Sequence, residues 1–382
     1  MKKICFVTTV PLTLQAFVLE TAKYLHEQGG YDISFICDTD PAFAQMLPDY
    51  IHYYPVPMKR GISLSGIRAC AQIRKIFKRE KFDLVQYSTP NASLYASLAA
   101  KSAKIPVRLY CQWGIAYVGM HGINRRIFRM IEKLVCKLST RIEPDSFGNL
   151  NFCHSQKLYG PEKSCVIWNG SASGVSLQKF DISQKETWRK AIRDAYNLPE
   201  DAFVYGFIGR ITRDKGINEL LSAFQSIRQI HPNSYLMLVG SEEIAEGVNT
   251  VMYDWARKDP NVLFCGFTNV VEQYLSAMDV YILPSYREGF GSAVVEAEAM
   301  GVPVIITDIP GPTDAMLRNE TGLVVKKADI ATLQKAMDTL YRDNDLREQF
   351  SVNGHQLSLE RFDQQALFAY ILEDRNKLIN KQ

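Results

Sequence analysis

PSYREGFGSAVVEAEAMGVPVI, Pro284 to Ile305, is the stretch that decides how this chain is read. An apolar run, Val280 to Leu283, enters a turn punctuated by Gly289 and Gly291. A short helix follows, closed by Gly301 with Pro303 just beyond, and a second apolar run begins at Val304. The pattern predicts a strand–turn–helix–strand unit in a parallel sheet. Its helix N-terminus near Gly289–Ser292 offers unpaired N–H groups and the positive end of the macrodipole, which suits a phosphate. Glu288 lies in the turn beside Arg287, and Glu296 follows eight residues later on the helix. A carboxylate next to a phosphate site is badly placed to hold phosphate but well suited to accept hydrogen bonds from sugar hydroxyls. The expected ligand is a nucleotide-activated sugar.

Working upstream, FVYGFIGRITRDKGINELLSAF (Phe203 to Phe224) reads as a strand to Ile208, a loop with Gly209, Arg210 and Lys215, and a helix opening near Gly216. Two cations between a strand end and a helix N-terminus make a second anion cradle. Between the two units, FCGFTNVVEQYLSAMDVYILPS (Phe264 to Ser285) supplies a further strand, loop and helix, with Gly266 at the strand end.

Gly209-Arg210 with Lys215-Gly216, then a glutamate pair separated by seven residues, then Gly301-Val302-Pro303-Val304, resembles glycosyltransferase family 4, the retaining sugar-nucleotide transferases of GT-B fold. Ile309-Pro310-Gly311-Pro312-Thr313-Asp314 and Glu320-Thr321-Gly322-Leu323 resemble members that extend polyprenyl-diphosphate-linked glycans for capsule, O-antigen or protein glycosylation. The resemblance is specific over roughly Phe203 to Val325 and looser in the N-terminal half. It implies an α/β, GT-B architecture of two Rossmann-like doubly wound domains facing a central cleft. Arg210 and Lys215 would neutralise the donor diphosphate, Glu288 would contact the donor hexose, and Glu296 would accept the ribose hydroxyls. Gly209, Gly266, Thr13 and the backbone of Phe290, Gly291 and Ser292 would complete the donor site. Front-face retention, with the leaving phosphate taking the acceptor proton, is likewise what the resemblance implies.

The departures lie in the N-terminal half. Where many relatives carry Gly-Gly after the first strand, this chain has Val10-Pro11-Leu12-Thr13-Leu14. Trp113, in Gln112-Trp113-Gly114, stands where many relatives have histidine. Tryptophan transfers no proton, but it stacks on sugar rings and donates one hydrogen bond. His121 reads either as a solvated loop histidine or, with Trp113, as an acceptor-side group. Glu298, two positions beyond Glu296, cannot share its face and is expected in solvent. Two other functions stay open: a non-catalytic sugar-nucleotide-binding partner, and a GT-B sugar-nucleotide epimerase.

At 382 residues the chain suits two domains, and its 47% hydrophobic and 22% charged content is that of a globular protein. The expected division is residues 1–170 for an acceptor-side domain, 171–200 for a linker beginning at the polar Asn169–Gly174 hinge, 201–360 for the nucleotide-sugar domain, and 361–382 for a terminal helix returning to the first domain. Strands are expected at Lys3–Thr8, Asp32–Cys37, Asp83–Tyr87 and Val107–Cys111 in the first half. Helices are expected at Gln15–Glu27, Gly66–Arg79, Ala92–Lys104 and Asn124–Leu138. No apolar run approaches the length of a membrane span. MKKICFVTTVPL is expected to be a buried first strand rather than an export signal, because its apolar stretch is short and meets Pro11. Eight scattered cysteines without metal-ligand spacing suit a reducing cytoplasm. No cofactor and no bound metal are expected, since Arg210, Lys215 and a helix end already supply positive charge.

Charge is unevenly divided. Residues 1–180 carry 23 Lys and Arg against 12 Asp and Glu, a net of +11, while the remainder carries 21 against 29, a net of −8. Basic residues gather on Lys59-Arg60, on Arg74 to Lys81, and on the helix from Ile123, where Arg125, Arg126, Arg129, Lys133 and Lys137 oppose an expected core face of Ile127, Phe128, Ile131, Leu134 and Val135. The expected partners are a nucleotide-sugar donor, a polyprenyl-diphosphate-linked sugar acceptor and, peripherally, the anionic inner face of the plasma membrane. Nucleic acid is excluded for want of a recognised motif.

Overall fold

The computed structural model describes residues 1–58, 65–244 and 247–381. Within these residues the two halves build the same pattern twice. In the first, β1 (Lys3–Val7), β2 (Asp32–Cys37), β3 (Ile51–Pro55), β4 (Leu84–Tyr87), β5 (Val107–Gln112) and β6 (Arg141–Pro144) pair in parallel in the order β3-β2-β1-β4-β5-β6. In the second, β7 (Phe203–Ile208), β8 (Ser234–Val239), β9 (Val262–Gly266), β10 (Val280–Leu283), β11 (Val304–Thr307) and β12 (Gly322–Val325) pair as β12-β11-β10-β7-β8-β9. Each is a doubly wound Rossmann order, with its switch point between the first and fourth strands of the unit. The central strands β4, β10 and β11 are buried at every position, which is why β10 and the first three residues of β11 read as apolar runs; in β4 the run is broken by Gln86, whose side-chain oxygen accepts from Arg375.

Two edge strands, β3 and β6, are absent from the sequence reading. IHYYP and RIEP are short, polar or aromatic, and end in proline, so neither carries an apolar run. The helix expected at Gln15–Glu27 is instead two: Pro11–Phe17, opened by proline at its first turn, and Leu19–Gly29.

The chain divides into one unit of Met1–Ser173 with Gln365–Gln382 and another of Gly174–Gln364. The returning segment is the helix Gln364–Asn380, which buries Leu367, Phe368, Ile371 and Ile379 in the core beneath β1, β2 and β5. Arg375, 1% exposed, anchors it through Glu143 at 2.6 Å and the side-chain oxygen of Gln86 at 3.2 Å. Residues 171–200 are not a simple linker. They contain the helix Lys185–Ala195, whose Trp188 and Ile192 pack on the second unit's core and whose Arg193 bonds Asp279 at 2.8 Å.

The helix Gly122–Leu138 corrects another expectation. Phe128, Ile131 and Val135 face the core, but Ile127 and Leu134 are 42% and 39% exposed. Ile127 and Leu134 each precede a packed residue, so the helical turn of about 100° per residue rotates them off the buried face. Glu132, expected nowhere in the core, lies buried on that face, accepting hydrogen bonds from Tyr110 Oη at 2.9 Å and from the Gln112 amide.

Glu298 is also misread by helical spacing. It is 1% exposed, faces the helix Asn344–Arg361 near Gly354, and has no well-formed hydrogen bond to either carboxylate oxygen among the described residues. Burial pushes its pKa well above the usual carboxyl value, and the Thr321 hydroxyl only partly opposes this. Below about pH 4 the group is protonated whether the chain is folded or not; as pH rises, only the unfolded chain gains by ionising, so stability falls. Glu298→Met is therefore expected to raise stability by about 1–4 kcal/mol at pH 8 and by much less near pH 4, checked by denaturant melts at both values. An equal gain at both would remove the titration from the explanation.

Candidate active site

β7 and β10 lie side by side at the switch point of the second sheet, and the loops leaving their C-terminal ends carry most of the expected donor-site residues. Gly209 and Arg210 follow β7 directly. A short turn, Arg213–Lys215, then ends on Gly216, which has φ +76° and caps the helix Ile217–Ile230. A Cβ on Gly216 would stand 2.0 Å from the Pro284 carbonyl oxygen, so glycine is required both for the left-handed backbone and for the close approach of the two loops. That approach is fastened by three contacts. Tyr286 N–H donates to the Asp214 carbonyl at 2.9 Å, Arg287 bonds the Asp214 carboxylate at 2.9 Å, and Lys215 Nζ meets Glu288 Oε1 at 2.6 Å.

The last pair is well buried, with side chains 20% and 12% exposed. Ser285 Oγ also donates to Glu288 Oε1 at 2.7 Å, and the Ser285 carbonyl accepts from Thr307 Oγ1 at 2.5 Å, so Glu288 is held from two sides. Burial alone would raise the Asp214 carboxyl, but the Thr212 hydroxyl, Arg287, Arg210 and Lys215 together hold it below its usual value. Asp214 thus stays ionised and positions Arg287. Arg210 differs from Lys215: it pairs with Glu243 at 2.7 Å, both side chains being more than two-fifths exposed, in an ion pair that contributes little.

Glu296 lies on the next helix, Ser292–Ala299, whose N-cap is Gly291 at φ +89° with no side-chain cap. The Phe290 ring is buried and packs edge-on to Phe362 at 5.5 Å, which leaves its backbone as the part able to meet a ligand. Partial desolvation raises the Glu296 carboxyl to about 7, with Lys179 opposing the shift and Glu272 adding to it. Lys179 Nζ lies 3.6 Å from Glu272 and donates to the Asn269 carbonyl at 3.1 Å. The buried Tyr281 phenol on β10 is pushed up first by burial and then by the charges of Glu288 and Glu296. Gly266 ends β9 at φ +70° with open space where a Cβ would stand.

Three expected residues belong to the other unit. Thr13 lies in the first turns of the helix Pro11–Phe17 after β1. Trp113 follows β5 and is half-buried, its ring 5.7 Å from that of Phe17. His121 is exposed and caps the helix Gly122–Leu138 through its backbone only. A further residue stands at this sheet's switch point: Thr89, after β4, holds φ +68°, an unusual conformation for a β-branched residue, and its hydroxyl accepts from the Thr9 N–H at 3.1 Å and lies 2.8 Å from the Thr9 hydroxyl.

Sequence reading missed Asp214, Ser285, Lys179, Glu272 and Thr89. Asp214 was legible in principle, since it neighbours Lys215. Lys179 lies far from the motif in sequence, and no spacing rule points to it. Among the described residues no group of three or more His, Cys, Asp or Glu is arranged to hold a metal ion.

Residues 189–357 match the family model described as glycosyl transferases group 1, and residues 3–146 match that described as glycosyl transferase 4-like. The capsular polysaccharide biosynthesis glycosyltransferase CapM of Staphylococcus aureus is 30% identical, covering 82% of each chain. The UDP-Gal:alpha-D-GlcNAc-diphosphoundecaprenol alpha-1,3-galactosyltransferase of Escherichia coli is 26% identical over 88% of this chain and 87% of its own. Among solved structures, sucrose-phosphate synthase from Thermosynechococcus elongatus superposes with a TM-score of 0.81 over 100% of both chains at 19% identity. Anabaena HepE in complex with UDP superposes with a TM-score of 0.78 at 18% identity, over 99% of this chain and 100% of its own. Those two likenesses establish the GT-B fold.

Proposed function

Because the chain belongs to the group 1 glycosyl transferases, and is therefore a glycosyltransferase, we propose that it moves a hexose or N-acetylhexosamine from a UDP-sugar to a polyprenyl-diphosphate-linked glycan, with retention, in surface polysaccharide synthesis. The observation that carries this reading is the buried Lys215–Glu288 pair beside the open N-terminus of the helix Ser292–Ala299. Cation and helix end suit the donor diphosphate, and the two carboxylates suit hydroxyls of the sugar and ribose.

In this reading the bond from the sugar C1 to the diphosphate oxygen breaks while negative charge builds on the leaving phosphate. Lys215 answers that charge from a partly desolvated position, and Arg210 swings from its exposed pair with Glu243 to join it. Glu288, released from Lys215 by the incoming phosphate, turns to the hexose. The leaving phosphate takes the proton of the attacking acceptor hydroxyl on the same face, so configuration is kept. Relatives point the same way for the acceptor: a Campylobacter jejuni protein 25% identical over 75% of this chain is an N,N'-diacetylbacillosaminyl-diphospho-undecaprenol alpha-1,3-N-acetylgalactosaminyltransferase.

The test is a panel of UDP- and GDP-sugars with polyprenyl-diphosphate acceptors, read by product mass, with the anomeric configuration read by NMR. Transfer from a UDP-sugar with retention is the expected result. Epimerised free donor, or donor binding without turnover, would overturn it in favour of an epimerase or a binding protein.

We further propose that the reaction needs no divalent ion, because Lys215, Arg210 and a helix end already oppose the diphosphate charge. Activity is expected to persist in excess chelator. Complete loss restored by added Mg²⁺ or Mn²⁺ would refute this.

The reading places the protein at the cytoplasmic face of the plasma membrane, held peripherally through the basic first unit. No described helix is long and apolar enough to cross a membrane. Arg74, Lys75, Lys78 and Arg79 are all exposed on the helix Ser65–Glu80, which supports that attachment; Lys59 and Arg60 lie outside the described residues.

A further inference from the structure

The helix Gly122–Leu138 leaves an apolar row without a partner. Ile123, Ile127, Met130 and Leu134 are 73%, 42%, 72% and 39% exposed. At about 100° per residue their positions fall within a sector of roughly 60°, so they form one stripe along the helix rather than scattered contacts. The helix buries a different face, Phe128, Ile131, Val135 and Cys136, against the core. Core packing therefore does not account for the stripe.

Charge on the same helix is of one sign at the surface. Arg125, Arg126, Arg129, Lys133 and Lys137 are all exposed, while Glu132, the helix's one acid, is buried. By the same angular reading Arg126, Arg129, Lys133 and Lys137 occupy the flank of the stripe opposite the core-facing flank, while Arg125, in the exposed first turns, falls at the angle of the packed face. Around the helix, the order is packed face, exposed apolar stripe, then basic face. The helix Pro90–Ser102 packs against it and the helix Ser65–Glu80 packs against Pro90–Ser102 in turn, all over one hydrophobic cluster, and these two add Ile67 and Leu98 to the exposed apolar residues and Arg68, Arg74, Lys75 and Lys78 to the exposed cations.

We propose that this helix is an interfacial membrane anchor that lies in the plane of an anionic bilayer, with Ile123, Ile127, Met130 and Leu134 inserted among the upper acyl chains and the cations on headgroup phosphates. The inference rests on the peripheral attachment proposed above and changes its character. Basic residues alone give adhesion that salt removes, whereas a continuous apolar stripe adds burial that salt does not screen. The one-sign surface chooses the occupant. Two copies of the chain meeting through this face would set five cations against five, which disfavours self-association. A nucleic acid would leave the aliphatic stripe exposed, because aliphatic side chains give bases no stacking surface. An anionic bilayer satisfies both parts at once.

The experiment uses the full-length protein and vesicles of phosphatidylcholine with about one-third phosphatidylglycerol, read by co-sedimentation at low and at about 0.5 M salt. Part of the binding is expected to survive the higher salt. Ile123→Ser, Ile127→Ser, Met130→Ser and Leu134→Ser together are expected to remove that part, weakening partitioning roughly tenfold or more, with the unfolding midpoint unchanged. Arg125→Ser, Arg126→Ser and Arg129→Ser together are expected to remove the salt-sensitive part instead. A Met130→Trp variant is expected to show emission quenched by bromine-labelled acyl chains beyond that of the wild type. Binding that salt abolishes entirely, with no added quenching, would overturn insertion while leaving charge-driven recruitment standing. No binding under any condition would overturn both. A dimer in sedimentation equilibrium that the four serines dissolve would assign the stripe to a second copy and overturn the proposal.

Discussion

Lys215→Ala is expected to lower turnover at saturating donor by about 2–4 kcal/mol of transition-state stabilisation, roughly 30- to 1,000-fold. The size follows from its setting. Lys215 is 20% exposed and faces a carboxylate that is 12% exposed, so the charge acts in a partly desolvated place where screening is weak. Arg210→Ala is expected to cost less, because its side chain is 45% exposed and must first leave Glu243. The substitution at Lys215 also strands Glu288, left with the Ser285 hydroxyl at 2.7 Å, so some loss of stability will accompany it. Lys215→Ala with Glu288→Gln separates the two effects: it should recover the unfolding midpoint without recovering turnover. If Lys215→Ala raised only the donor KM and left turnover intact, Lys215 would be a binding group with no part in the chemistry.

The sequence made the second unit legible because its chemistry lies in its backbone signals. Gly209, Gly216, Gly266 and Gly291 mark the strand ends and the helix starts, and all four take positive φ in the structure. Central strands such as β10 and β11 are buried on both faces, so their composition shows without any partner being known. Legibility fails where burial depends on a distant element. Glu298 looks solvated by helical spacing, and only the packing of Asn344–Arg361 against it buries it. Ile127 and Leu134 look like core because they are apolar, and the face that packs is fixed by its neighbours in the fold rather than by hydrophobicity. Lys179 approaches Glu272 and Glu296 across about a hundred residues of chain, a distance at which sequence spacing carries no information. Edge strands β3 and β6 fail for the opposite reason, since half-exposed strands are allowed polar residues and proline.

Glu296 is expected to make donor affinity depend on pH in the physiological range. Its carboxyl in the free protein titrates at about 7, raised by burial, opposed by Lys179 and reinforced by Glu272. Accepting two ribose hydroxyls requires the ionised form, because a protonated carboxyl gives up part of its acceptor capacity. Binding therefore favours ionisation and lowers the group's pKa in the complex. Below about pH 7 donor binding must then release a proton, and its dissociation constant should rise up to tenfold per unit as pH falls. Above that value the dependence should level off. Glu296→Gln is expected to remove the slope, since the amide does not titrate there. Glu296→Ala is expected to weaken donor binding on the order of 100-fold, from the loss of two charge-assisted hydrogen bonds at about 1.5 kcal/mol each or slightly less. Turnover at saturating donor should be nearly unchanged, because ribose contacts are alike in ground and transition states and so act uniformly. Calorimetric titration with a UDP-sugar, whose diphosphate has no group titrating near pH 7, at several pH values and in buffers of differing ionisation enthalpy, reads affinity and proton release together. The hydroxyl-acceptor role would be wrong if UDP and a 2′,3′-dideoxy analogue bound equally well. It would also be wrong if Glu296→Ala reduced saturated turnover while leaving UDP affinity untouched.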